Sequence, residues 1–266
     1  MRHRSAVAAT VVGAGAGVLG GLIGLGGAEF RLPLLVGFFA SPLRRAIGLN
    51  LGVSLFTVVA ALAARLGTGS ATVPAPAHLM AALMGGGVMG AYVGASWLIG
   101  ASSGRLWRGV RGLLALIGAL LLIEAFVPWR SAGLITSPLA QASVGVMAGM
   151  LIGVVSSLLG VAGGELIIPT LVYAFGVDIK AAGTASLAIS LPTVVMGLWR
   201  QGSFGLRPTA DELTRLVLPM SASSIVGAVV GAMLVAFVPG SSLKGVLGLV
   251  IVWSAVRLRA HAPAAG

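Results

Sequence analysis

The chain contains no cysteine, which excludes disulfides, thiolate metal sites and cysteine nucleophiles. Acidic residues are scarce, six Asp and Glu against seventeen Lys and Arg in 266 residues. Charged residues make up 9% of the chain, where a soluble protein carries about a quarter. No stretch is long and polar enough to form a separate soluble domain. The patterns GxSxG, HExxH and GxxxxGK(S/T) do not occur, so serine-hydrolase, zincin and P-loop chemistry lack their signatures. The three histidines, His3, His78 and His261, stand at no ligand spacing. The reading is of a protein that is not an enzyme and uses no cofactor or metal.

What fills the chain is apolar. Hydrophobic residues make up 58% and the mean hydropathy is +1.06. Stretches of about 20 apolar residues, the length a helix needs to cross a bilayer, follow one another. These features define an all-α polytopic membrane protein with the lipid bilayer as its solvent. The net charge of +11 comes from dispersed residues that read as topology signals, so nucleic acid is not an expected partner. Fifteen arginines against two lysines hint at a bacterial source, and hence an inner membrane. The five tryptophans lie near stretch ends, as an aromatic belt requires. Residues 1–25 resemble a signal peptide, but they match an internal segment, which argues against cleavage.

That match belongs to a duplication. Sliding the chain until residue 13 meets residue 149 aligns 13–59 with 149–195 without a gap, and eighteen of the 47 positions are identical. Glu29 falls on Glu165, Pro33 on Pro169, Phe39 on Phe175 and Arg44 on Lys180. With a further shift of one position, "GAYVGA" (90–95) meets "GAVVGA" (227–232). The expected organisation is two homologous repeats, 1–130 and 131–266, forming one membrane domain. Each holds four hydrophobic segments: about 5–40, 46–64, 77–101 and 107–127, then 140–176, 181–199, 213–238 and 243–256.

Charge counting separates two topologies. With four full spans per repeat and cytoplasmic termini, nine basic residues fall inside and eight outside, which is no bias. If the first, glycine-broken segment of each repeat is a re-entrant hairpin, twelve fall inside. Arg65, Arg130, Lys180 and Lys244 then lie outside and Arg31 lies within the membrane, which obeys the positive-inside rule. Three spans plus one hairpin per repeat make the repeats inverted, a common transporter plan. Both termini are then cytoplasmic.

The breaks read "GLGGAEFRLP" and "GVAGGELIIP". Paired glycines release a helix, and the N–H groups that begin the next one carry partial positive charge suited to an anion. Non-helical backbone at membrane depth survives where protein or a polar cavity surrounds it. Gly26, Gly27 and Ala28, with Gly163 and Gly164, are the expected backbone donors. Glutamates at this depth are either protonated or paired, so Glu29 and Glu165 are candidate proton carriers. Arg31 either pairs locally with Glu29 or contacts an anionic substrate in a fork geometry; Ile167 occupies its place in the second repeat. On the following helices Asn50, Ser54 and Thr57 share a face, and Ser186, Ser190 and Thr193 repeat it. Asn50, Ser54, Ser186 and Ser190 are expected to line a polar route, although hydroxyls also bond back to their own helix. The glycines four apart, such as Gly13/Gly17, Gly90/Gly94 and Gly227/Gly231, predict close helix packing.

At these residues the sequence resembles the TauE/SafE sulfite exporters, or TSUP transporters. The pattern is GxGGG, then a proline, then an alanine-rich turn into a small-polar helix. It reads here as "GLGGAEFRLPLLVGFFASPLRRAIGLNL" and "GVAGGELIIPTLVYAFGVDIKAAGTASL", with Ala28 and Ala162 in place of a glycine. The resemblance implies movement of sulfite, sulfonates or related small sulfur-containing anions. The expectation is a secondary transporter coupled to protons. A passive anion channel, or a non-transport membrane subunit or enzyme, is the alternative.

Overall fold

The computed structural model describes residues 2–67, 75–100, 137–206 and 208–235, with isolated positions at 102–112, 135 and 237–238. Apart from positions 108 and 112, the fourth hydrophobic segments, 107–127 and 243–256, lie outside the described residues. Within them everything regular is helical: α1 (Arg2–Ile23), α2 (Ala28–Gly37), α3 (Leu43–Gly67), α4 (Ala77–Gly100) and α5 (Pro138–Leu159). Then follow α6 (Gly164–Pro169), which runs into a π-helical turn (Thr170–Ala174), α7 (Ile179–Ser203) and α8 (Ala210–Leu234). Five of these, α3, α4, α5, α7 and α8, are long and apolar enough to cross a membrane. α2 has ten residues, about 15 Å of helix, half the thickness of a bilayer core.

The most extensive packing joins α1 to α8 and α4 to α5. The first helix of each sequence repeat therefore lies against the third-segment helix of the other. Glycines four apart make both pairings possible. A Cβ on Gly21 would stand 2.1 Å from the Ala228 carbonyl oxygen, and one on Gly90 would stand 2.0 Å from that of Met150. Gly227 and Gly231 face the Ala14 and Val18 carbonyls from the opposite side, and Gly149 and Gly153 do the same on α5. Close backbone approach holds apolar helices together where lipid tails remove the hydrophobic gain.

Helix ends follow local chemistry. Asp178 caps α7, its Oδ1 accepting from the Lys180 and Ala181 N–H groups at 2.9 and 3.3 Å. Thr209 and Glu212 form a capping box at the start of α8, and Glu212 also pairs with Arg45 of α3. Trp97 and Trp199 sit near the C-terminal ends of α4 and α7 and are exposed. The Arg200 guanidinium stacks over Tyr92 and Phe204, 4.4 Å from each ring centre.

Candidate functional site

Two helices stop at the paired-glycine positions. α1 ends at Ile23 and α2 starts at Ala28; α5 ends at Leu159 and α6 starts at Gly164. The N-caps, Gly27 (φ 70°) and Gly163 (φ 83°), are left-handed and carry no capping side chain. Glycine adopts that backbone freely, which is why it stands at both restarts.

The breaks meet each other. A Cβ on Gly26 would lie 3.2 Å from the Cβ of Ala162, its counterpart in the second repeat. The Gly24 site approaches the Gly183 carbonyl at the start of α7, and the Gly160 site approaches the Ile47 carbonyl at the start of α3. The repeat alignment pairs Gly24 with Gly160 and Ile47 with Gly183, so these are two copies of one contact. The Gly26 site lies 3.0 Å from Val58 Cγ2, well along the 25 residues of α3, so the first break sits inside the helix layer. Glu29 and Glu165 occupy the first turns of α2 and α6, are each 1% exposed, and their carboxyls lie close enough to interact directly.

Arg31 is fully buried, and protein oxygens take all five of its N–H donors. Nε donates to Asn50 Oδ1 (3.2 Å), and Nη1 to Thr57 Oγ1 (3.0 Å) and Ser224 Oγ (3.1 Å). Nη2 donates to the Gly26 carbonyl and Ser54 Oγ, both at 2.9 Å. None of these acceptors is a carboxylate. Asn50 Nδ2 donates to the Ala28 carbonyl at 2.8 Å. Ser54 and Thr57 donate back to Asn50 and Val53 of their own helix while accepting from Arg31. The structure thus joins Gly26, Ala28, Arg31, Asn50 and Ser54 in one network. Ser186 donates across to the Gly24 carbonyl, and Ser190 is buried on the same face of α7.

Three contributors escaped the sequence reading. Ser224, from α8, accepts from Arg31 and donates to the Gly13 carbonyl at 2.8 Å. Arg65, counted on the outer side of the membrane in the charge balance, is 1% exposed. Its Nη2 donates to the Gly21 and Leu22 carbonyls at the end of α1 (2.9 and 3.0 Å), and its Nη1 to Thr184 Oγ1 (3.2 Å). A cation at a helix C-terminus meets the negative end of the macrodipole, which explains a charge held there. Gln201, also 1% exposed, donates to the Ser157 carbonyl at 3.4 Å near the end of α5. The repeat alignment, carried on past its gapless core, pairs Arg65 with Gln201, and within the core it pairs Gly21 with Ser157. That coincidence was the available signal.

Among the described residues no group of three or more His, Cys, Asp or Glu could hold a metal. Broken helices meeting inside a layer of apolar, membrane-length helices define a multi-pass membrane protein with a buried polar centre. Residues 145–264 match the family model described as Sulfite exporter TauE/SafE, a family of membrane transporters, so the resemblance carried by the motifs is shown for this part of the chain. No curated protein and no solved structure matches the chain.

Proposed function

We propose that the protein is a secondary transporter for a small sulfur-containing anion such as sulfite or a sulfonate, and that the two glycine breaks form its binding site. The observation that carries this reading is the meeting of the breaks at Gly26 and Ala162. The meeting brings the starts of α2 and α6 together inside the helix layer. N–H groups at Gly26–Ala28 and Gly163–Gly164 would receive the anion at the positive ends of those helices. Arg31 adds a positive charge beside them without needing to touch the ligand. The resemblance to exporters of sulfur oxyanions and the family match over 145–264 select the substrate class.

Glu29 and Glu165 would carry the coupling proton. One proton held by the pair removes the repulsion of two like charges in a dry site. Ser54, Ser190 and Ser186 continue the polar route on either side. The packing of α1 on α8 and of α4 on α5 supports two inverted repeats whose broken segments enter and leave on one side each.

The test is radiolabelled sulfite uptake into proteoliposomes, with and without an imposed proton gradient. Saturable uptake that the gradient accelerates is the expected result. Flux that neither saturates nor responds to the gradient would make the protein a passive channel.

A further inference from the structure

The two breaks are held unequally. In the first, side chains bond alternate carbonyls: Ser186 of α7 holds Gly24, Arg31 of α2 itself holds Gly26 and Asn50 of α3 holds Ala28. Arg31 also ties α2 to α3 and α8 through Ser54, Thr57 and Ser224. In the second, the Val161 carbonyl accepts from Ser156 of the adjoining helix α5. Ile167, in the place of Arg31, has no donor to offer. Thr193, in the place of Thr57, donates to the Ile189 carbonyl of its own helix. Gly87 faces Thr193 from α4, where a Cβ would lie 2.6 Å from its hydroxyl.

Packing at the two N-caps differs in the same direction. A Cβ on Gly27 would stand 2.0 Å from the Ala16 carbonyl oxygen, so backbone presses on backbone. A Cβ on Gly163 would meet side chains only, the nearest being Ile152 Cγ2 at 3.1 Å. Beyond the caps, α2 keeps its α-helical pitch through Pro33 to Gly37, whereas α6 loosens into a π-helical turn after Pro169. Single π turns inside helices often lie at functional sites; α8 carries one as well, at Leu213–Val217.

We infer that Arg31 is a positioning residue that fixes the first broken helix against α3 and α8, and that the second broken helix, Gly164–Ala174, is the one that moves when the site changes the side it faces. The moving role rests on the transport reading above; the clamp does not. Displacing α2 from α3 and α8 would break four bonds from a buried guanidinium, a cost that displacing α6 does not carry at Ile167.

Hydrogen–deuterium exchange on the full chain in lipid nanodiscs tests both parts. Without substrate, amides of 160–176 should exchange about tenfold or more faster than those of 24–37. Arg31→Leu should raise exchange in 24–37 towards the level of 160–176, and Arg31→Lys, with charge kept but fewer donors, should fall between. Added sulfite should slow 160–176 far more than 24–37. Equal exchange of the two segments in the wild type overturns the inference, and that comparison stands even if Arg31→Leu fails to fold. It is overturned equally if the Arg31 variants speed both segments alike, which would mean general destabilisation. Unequal exchange with no response to sulfite, together with no uptake in proteoliposomes, refutes the transport reading and the moving role while leaving the clamp in place.

Discussion

Two arginines are held inside this apolar bundle by different means. Arg31 is surrounded by neutral oxygens that match each of its donors, and Arg65 bonds carbonyls at the end of α1. Because Gln201 does the work of Arg65 in the second repeat, Arg65→Gln should cost only about 1 kcal/mol, whereas Arg65→Leu leaves buried carbonyls unbonded and should cost about 3 kcal/mol. Thermal unfolding of the purified variants measures the difference; equal losses would contradict the capping role. For the carboxyl pair, Glu29→Gln and Glu165→Gln should each slow uptake about tenfold, the effect of losing one interaction of about 1.4 kcal/mol, and should flatten its dependence on pH. Unchanged rate and pH profile would remove the proton role. The glutamates and the Asn50–Ser54–Thr57 face were legible because both recur at the matching places of the second repeat. Ser224 was not, because its counterpart under the shifted alignment is Gly87 and its contact with Arg31 spans 193 residues of sequence.

Among the helices, glycine does two separate jobs, and spacing tells them apart. Glycines four apart mark faces that lie against a partner backbone, as the sequence predicts; adjacent glycines followed by glutamate mark the breaks. Gly27→Ala combines a left-handed backbone with a Cβ 2.0 Å from the Ala16 carbonyl, so it should destabilise the protein by about 3 kcal/mol or abolish its folding. Gly15→Ala, with open space around it, should be nearly neutral, and melting curves of the pair make the comparison. Helix boundaries were legible to within a few residues: the 46–64 segment proves to be Leu43–Gly67 and the 181–199 segment Ile179–Ser203. Which helix lies against which was not. Each glycine face advertises a close partner without naming it, and the pairing of α1 with α8 is settled by shape at long range. The π-helical turn after Pro169 was equally hidden, since Pro33 at the matching place leaves α2 α-helical.

At the scale of the whole molecule, inverted repeats place matching loops on opposite faces of the membrane. Pro42 and Asp178 hold equivalent positions in the two repeats, and both are exposed between a broken helix and the span that follows. The chain has no cysteine of its own, so Pro42→Cys and Asp178→Cys can be labelled separately with a membrane-impermeant maleimide in intact cells. Labelling at 178 but not at 42 is expected; labelling of both, or of 42 alone, would contradict the inverted arrangement. If the meeting breaks carry a small sulfur-containing anion across the membrane, the purified protein in proteoliposomes should take up radiolabelled sulfite. That uptake should saturate, run faster under an imposed proton gradient and be competed by related sulfur anions. Uptake no greater than that of protein-free liposomes, in either direction of the gradient, would contradict the transport reading.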